Sequence, residues 1–426
     1  MTGPTDIRSR LAEVTSAGGC SYPIRLFGET VNMATGELDQ RVLKVPCKDR
    51  RAVVCPACSY LYKADAWILV ASGLNGGKGV PESVSKHPRL FVTLTAPSFG
   101  AVHSDGARSG RCHPGRNLGP CSHGRPRACH RRHESGDPEL GSPLCPDCHD
   151  YRGAVIWNAM ASRLWNRTIT QVRRSVAKSH GLRERDLPHV ARLSYLKVAE
   201  IQRRGLLHCH AILRVDGPGG PETEPPAWLT TELLAEHVRD AVGWIGVGVG
   251  DGTEARWGSQ LDIQDVTASS LDDLRIAAYL AKYAAKTTDG SLELARRFKN
   301  RVEIERLRVA EHPRRMALTS WDLASDPGLE HLRLREHAHT FGFAGQLITK
   351  SRSYSTTFTS LRAARHAYQA KRSGSDPVLG SFGFVGRGYD DPASERLAEV
   401  VFEQRRELTR DLRMSRVMSH EISQGL

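Results

Sequence analysis

The sequence predicts an α+β protein: a central antiparallel sheet flanked by helices, joined to cysteine-rich segments and a mostly helical C-terminal region. Three observations carry this. "HPRLFVTLTAPSF" (87–99) is rich in β-branched and aromatic residues and is stopped by Pro97, the mark of a strand. "VARLSYLKVAEIQ" (190–202) and "LLHCHAILRV" (206–215) are apolar runs joined by "RRG", the mark of a hairpin. "YRGAVIWNAMASRLWNRTITQVRRSVAKSHG" (151–181) has helical periodicity and closes on a glycine.

The elements follow in order, with no internal repeat. Residues 1–87 combine a cysteine-bearing segment, "VPCKDRRAVVCPACSYLYKADAWILVASGL", with a Gly-rich loop. "GLNGGKG" (73–79) has the look of a phosphate-binding loop, but Lys78 is followed by Gly and no strand-loop-helix frames it. No ATPase, and so no nucleotide cofactor or intrinsic helicase, is expected. Residues 103–150, rich in His, Cys, Gly, Pro and Arg, form a long irregular run that needs an internal staple. After the hairpin, "PGGPETEPPAW" (218–228) is a loop, and "LTTELLAEHVRDAVGWIG" and "SSLDDLRIAAYLAKYAAKTTDG" are helices. The second opens with Ser270 and Asp273 at capping-box spacing and closes at Gly290. Near the C-terminus, 347–372 interleaves Arg/Lys with Tyr354, Phe358 and Tyr368, which suits phosphate contacts and base stacking or a solvated helical face. The expected domains are 1–87, 88–290 with an insert at about 103–150, and 291–426.

The net charge of +13 and pI near 9.4 point to a polyanionic partner, although an arginine-rich composition by itself is also what a GC-rich genome yields. No stretch has the apolar length to cross a bilayer, and "MTGPTDIRSRLAEVTSAGG" lacks a signal-peptide core, so the expected location is the cytoplasm. Ten cysteines in such a chain suggest metal ligation rather than disulfides.

In the hairpin, His208 and His210 alternate with Cys209, so both imidazoles project from one face. A three-residue loop Arg203-Arg204-Gly205, with Gly205 at positive φ, places Glu200 directly across from His208. The two imidazoles and the carboxylate would then converge on one divalent ion, Mg²⁺ or Mn²⁺. A two-residue loop would instead turn Glu200 to the opposite face. In "YLAKYAAK" (279–286), Tyr279 and Tyr283 share a helical face and Lys282 and Lys286 share an adjacent stripe. Such a pair is ordinary core packing or, beside a divalent ion and ammonium groups, a pair of activated phenols able to attack a phosphodiester.

"CPAC" (55–58) and "CPDC" (145–148) are knuckles that present Cys55, Cys58, Cys145 and Cys148 to Zn²⁺. "CHRRH" offers Cys129 and His133 to complete Cys145/Cys148, which leaves Cys47, Cys112 or Cys121 for Cys55/Cys58. A single four-thiolate site joining both knuckles is the alternative. Cys20 has no evident partner.

Three segments in this order resemble the HUH endonuclease superfamily, in particular rolling-circle replication initiators. "FVTLTAP" (91–97) is similar to their first motif, "HCH" (208–210) to the metal-binding motif, and "IAAYLAKYAAK" (276–286) to the tyrosine motif at both Tyr279 and Tyr283. The two-tyrosine form resembles the gene A initiators of small single-stranded DNA phages. "CPACSYLYKADAW", "GGKGVP", "FVTLTAPSFGAVH", "LCPDCHDY" and "EIQRRGLLHCHA" look like initiators of actinomycete plasmids and integrative elements, a likeness over about residues 45–370. The resemblance implies a metal held by His208, His210 and Glu200, and Tyr283 as first nucleophile. In one-tyrosine relatives a water-activating glutamate falls at the position of Tyr279. It further implies a 5′-phosphotyrosyl intermediate and a 3′-hydroxyl primer on single-stranded or cruciform origin DNA, with Lys282 and Lys286 assisting and a host helicase and polymerase as partners. A two-tyrosine transposase or a conjugative relaxase would use the same chemistry; a zinc-stapled DNA-binding regulator would use none.

Overall fold

The computed structural model describes residues 7–33, 35–105, 111–113, 119–250, 252–266, 270–285, 294, 296–373 and 378–424, with the backbone alone at 270–272, 370, 372–373, 378–379 and 412–424. In chain order the elements are α1 (Ile7–Ser16), β1 (Ile24–Asn32), β2 (Leu38–Val45), α2 (Pro56–Asn75), β3 (Arg89–Thr95), α3 (Tyr151–Ser179), β4 (Arg192–Ile201), β5 (Leu207–Asp216), α4 (Thr231–Trp244), β6 (Gly246–Gly248), β7 (Glu254–Arg256), β8 (Leu261–Asp265), α5 (Ser270–Ala284), α6 (Arg301–Glu305), α7 (Glu311–Leu323), β9 (Ile348–Lys350), α8 (Phe358–Ser373), β10 (Val378–Arg387) and α9 (Pro392–Gln424). The protein is α+β with antiparallel sheets. No helix among the described residues is long and apolar enough to cross a membrane.

The chain divides into two units, residues 66–357 and residues 1–65 with 358–426. β1 pairs along its length with β10, which brings segments from both halves of the chain into one sheet of the second unit.

In the larger unit the sheet order is β8-β3-β5-β4-β9. Alternation along the strands sorts its two faces. Leu90, Val92 and Leu94 pair with Leu213, Ala211 and Cys209, and this face is buried with Trp157, Met160, Ala161, Leu164 and Trp165 of α3. Asp150 starts α3 by accepting the Gly153 N–H at 2.8 Å, and Gly181 lies just beyond its end at φ 66°. The opposite face carries Phe91, Thr93 and Thr95, set against Ile212, His210 and His208.

At the other end of that face lies a cluster of buried charge, Arg89 opposite Arg214. Arg89 and Arg214 donate to the last carbonyls of α2, at Leu74 and Gly73. Each has its own carboxylate: Arg89 pairs with Asp273 at 2.9 Å and Arg214 with Asp216 at 2.7 Å. Tyr354 is fully buried, with its hydroxyl donating to the Val70 carbonyl and its ring under Arg214, so it packs the core and is closed to bases. Phe358 stacks on Tyr62 at 5.0 Å, whereas Tyr368 is exposed.

The Gly-rich segment 73–79 is the end of α2 followed by Gly76, Gly77 and Gly79 at positive φ; a helix, and no strand, precedes it. Asp273, read as a capping residue, turns its carboxylate to Arg89. Gly290 and Lys286 lie outside the described residues. In the smaller unit the sheet order is β10-β1-β2.

Candidate active site and metal centres

The hairpin turns through three residues: Gln202 N–H donates to the Leu206 carbonyl at 2.9 Å, and Gly205 sits at φ 75°. That register places Glu200 opposite His208 and Val198 opposite His210. Directly opposed residues hold their Cβ atoms about 5 Å apart on one face. His208 and His210 approach to 4.6 Å between ring centres. Among the described residues, the groups of three or more ligand atoms within 4.8 Å of one another do not include Glu200, His208 and His210. The expected convergence is therefore one of register and face.

His210 is buried and fixed on both sides. Thr93 Oγ1 lies 3.2 Å from its Nδ1, Phe91 stacks on the ring at 5.7 Å, and the Tyr279 hydroxyl lies 3.3 Å from its Nε2. With Nδ1 occupied by a hydroxyl, Nε2 is the nitrogen turned toward the tyrosines. Tyr279 and Tyr283 meet at 4.5 Å, and the Tyr283 ring stands 5.4 Å from His210. Burial, with Tyr283 and the charge of Glu200 adding to it, pushes the Tyr279 phenol above its ordinary pKa. This phenol keeps its proton at neutral pH. Lys282 is exposed on α5. Thr93, Phe91 and the Arg89–Asp273 pair were not singled out in the sequence; alternation along "RLFVTLT" marks the face of the first two, and nothing local marks the third.

The cysteines gather into sets with ligand atoms all within 4.8 Å: Cys20, Cys47, Cys55 and Cys58; His103, Cys112, Cys129 and His133; Cys121, His123, Cys145 and Cys148. Each could hold zinc, whose sites take four Cys or His donors. The grouping differs from the one expected. Cys129 and His133 do not complete Cys145/Cys148, and Cys112 and Cys121 do not join Cys55/Cys58. Cys20, thought partnerless, lies 3.7 Å from Cys55 by sulfur–sulfur distance. His103 and His123 were missed because each stands alone in irregular chain, where no periodic spacing marks it. Cys55 and Cys58 open α2, where backbone N–H groups face the thiolates: Cys58 N–H donates to Cys55 Sγ at 3.5 Å. Burial opposes ionisation of Cys121, but the N–H groups of His123 and Arg125 and the neighbouring thiols bring it down to about 6.

Fold and site together define an α+β protein with an imidazole-bearing sheet face under a tyrosine helix and cysteine sets suited to metal. The chain belongs to the RepSA family: the family model described as "Replication initiator protein, pSAM2" matches residues 6–403. It is 37% identical over 444 residues to a replication initiator protein of Streptomyces ambofaciens, covering 96% of this chain and 91% of that one. No solved structure matches.

Proposed function

We propose that this chain initiates plasmid or integrative-element replication as an HUH-type nickase, cutting origin DNA by tyrosine attack. The observation that supports it most directly is the meeting of both α5 tyrosines with His210, the Tyr279 hydroxyl standing 3.3 Å from Nε2. Family membership supports the role in replication.

Two imidazoles and one carboxylate on one strand face are donors that suit Mg²⁺ or Mn²⁺, and with Thr93 Oγ1 against Nδ1 of His210, Nε2 is the nitrogen that would ligate the ion. When bound by His208, His210 and Glu200, such an ion polarises the scissile phosphate and favours phenolate. Tyr283 forms the new O–P bond while the 3′ oxygen leaves with the bonding electrons and takes up a proton. The products are a 5′-phosphotyrosyl link and a 3′-hydroxyl able to prime a host polymerase behind a host helicase. Tyr279, in contact with Tyr283, takes the second transfer, and the exposed Lys282 approaches the phosphate. Zinc in the cysteine sets is structural in this reading.

The test is a single-stranded origin oligonucleotide with Mn²⁺, run on a denaturing gel. A covalent adduct that Tyr283→Phe abolishes and Tyr279→Phe retains supports the assignment. No adduct with any divalent ion makes the protein a zinc-stapled regulator. Replication of origin-bearing but not origin-less plasmids separates an initiator from a transposase or relaxase.

A further inference from the structure

We propose that the segment between β3 and α3 is a cross-braced two-zinc module that clamps the turn of the β4–β5 hairpin. The clamp's purpose rests on the nickase reading above; the cross-brace does not.

The ligands occur along the chain as four pairs: His103/Cys112, Cys121/His123, Cys129/His133 and Cys145/Cys148. The first and third pairs share one cluster, and the second and fourth share the other. One ion therefore closes the chain between 103 and 133, the other between 121 and 148, and each closed loop contains a ligand pair of its neighbour. Two independent fingers would use adjacent pairs. The interlocked order means that each ion shortens the loop the other must close, so binding at the two sites is coupled.

The distances are those of metal ligands. With Zn–S near 2.3 Å and Zn–N near 2.0 Å, a tetrahedron's edges are about 3.3–3.8 Å. In the first cluster His103 Nδ1 lies 3.2 Å from His133 Nε2 and 3.6 Å from Cys112 Sγ, and Cys129 Sγ lies 3.5 Å from His133 Nε2. In the second, His123 Nδ1 lies 3.3 Å from Cys148 Sγ and 3.8 Å from Cys145 Sγ. Outer partners are in place too. The Ser104 N–H donates to Cys112 Sγ at 3.2 Å, and Asp137 holds His133 Nδ1 at 2.7 Å, which turns Nε2 toward the cluster.

The first cluster reaches the hairpin through Arg203, the first residue of its turn. The Arg203 guanidinium donates to the carbonyls of Ser135 at 2.6 Å and Asp137 at 3.4 Å. Both lie in the turn just after His133, and Asp137 is the residue that holds it. Gly141, at φ +85°, packs so tightly on Arg203 that a Cβ there would come within 2.5 Å of its carbonyl carbon. The segment just beyond His133, anchored to the first cluster through Asp137 and lying inside the loop the second ion closes, thus grips the turn that sets Glu200 opposite His208.

Zinc release from the full-length chain by a graded chelator, read by native mass spectrometry, tests the module. Its two ions leave together, and Cys121→Ser and Cys129→Ser each loosen both while the Cys20/Cys47/Cys55/Cys58 ion stays. Stepwise, independent loss, or loss of one ion per substitution, overturns the cross-brace. For the clamp, Arg203→Ala keeps its zinc and its melting curve yet raises the Mn²⁺ concentration needed for nicking by about 10- to 100-fold, with partial recovery in Arg203→Lys. An unchanged Mn²⁺ requirement overturns the clamp. If the unsubstituted chain forms no adduct, the nickase reading and the clamp's purpose fall together, and zinc release still decides the module.

Discussion

Asp273→Asn isolates the role of the buried pair that ties the tyrosine helix to the sheet. Asp273, in the first turn of α5, and Arg89 are each 1% exposed and stand 2.9 Å apart. Arg89 also donates to the carbonyls of Leu74 and Val266, so the guanidinium cannot follow a lost carboxylate without giving up those bonds. Removing one charge of a buried pair costs about 3–5 kcal/mol. Tyr283 lies ten residues further along the helix, about 15 Å at about 1.5 Å per residue. A tilt of about 4° at that radius moves the phenol by about 1 Å, and such a misplacement costs on the order of 100-fold in rate. Asp273→Asn should therefore melt several degrees lower and form the tyrosyl adduct about 100-fold more slowly in single-turnover assays, with origin binding nearly unchanged. Arg89→Met with Asp273→Leu should recover part of the melting temperature, since apolar replacement of a whole buried pair is often neutral while the Leu74 and Val266 carbonyls lose their donor. A variant that loses stability but nicks at the original rate per folded molecule would refute the positioning argument.

Four further outcomes follow from the geometry. Cys20→Ser should remove a single zinc ion and lower the stability of the smaller unit, measured by metal content and limited proteolysis; an unchanged metal content would remove Cys20 from the site. Lys197 is 3% exposed, sits over the Trp165 ring, and its pKa is lowered by burial. As pH falls below the ordinary lysine range the unfolded chain takes up a proton that burial resists in the fold, so stability drops, and at pH 7 Lys197→Met should raise the melting temperature. Burial works against ionisation of Asp216, but His87, Arg214 and Ser194 outweigh it and hold the carboxyl below its ordinary pKa. The stability this contributes is present above about pH 4 and is lost on acidification through the lowered value; urea midpoints from pH 7 to 3 should show that loss, shallower in Asp216→Asn. A Cβ on Gly73 would meet the Tyr354 ring at 2.2 Å, so Gly73→Ala should cost about 1–3 kcal/mol in chemical denaturation, and a neutral result would mean the ring has room to move.

How much was legible can be read from particular elements. β3, the β4–β5 hairpin with its Arg203-Arg204-Gly205 turn, and α3, α4 and α5 follow from periodicity and turn chemistry, because each buries a repeating stripe or needs a special φ. β8 and β9 escaped notice: one is a short, half-polar edge strand and the other has three residues, too few for a period to show. β1 and β10 escaped because their pairing spans nearly the whole chain, and β10 has a glycine at every third position, Gly380, Gly383 and Gly386, which breaks the period of two.

The sequence by itself determined that two imidazoles and a carboxylate share a strand face, that two phenols share a helix face, and that thiols are paired for metal. Those are short-range facts, set by periods of 2 and 3.6 residues and by one turn. Only the tertiary structure decided which cysteines meet, that Cys20, His103 and His123 join them, that Tyr354 is sealed in the core, and that Arg89 holds Asp273. Ligand sets and buried ion pairs are chosen by where the folded backbone brings distant residues, and spacing along the chain carries no record of that.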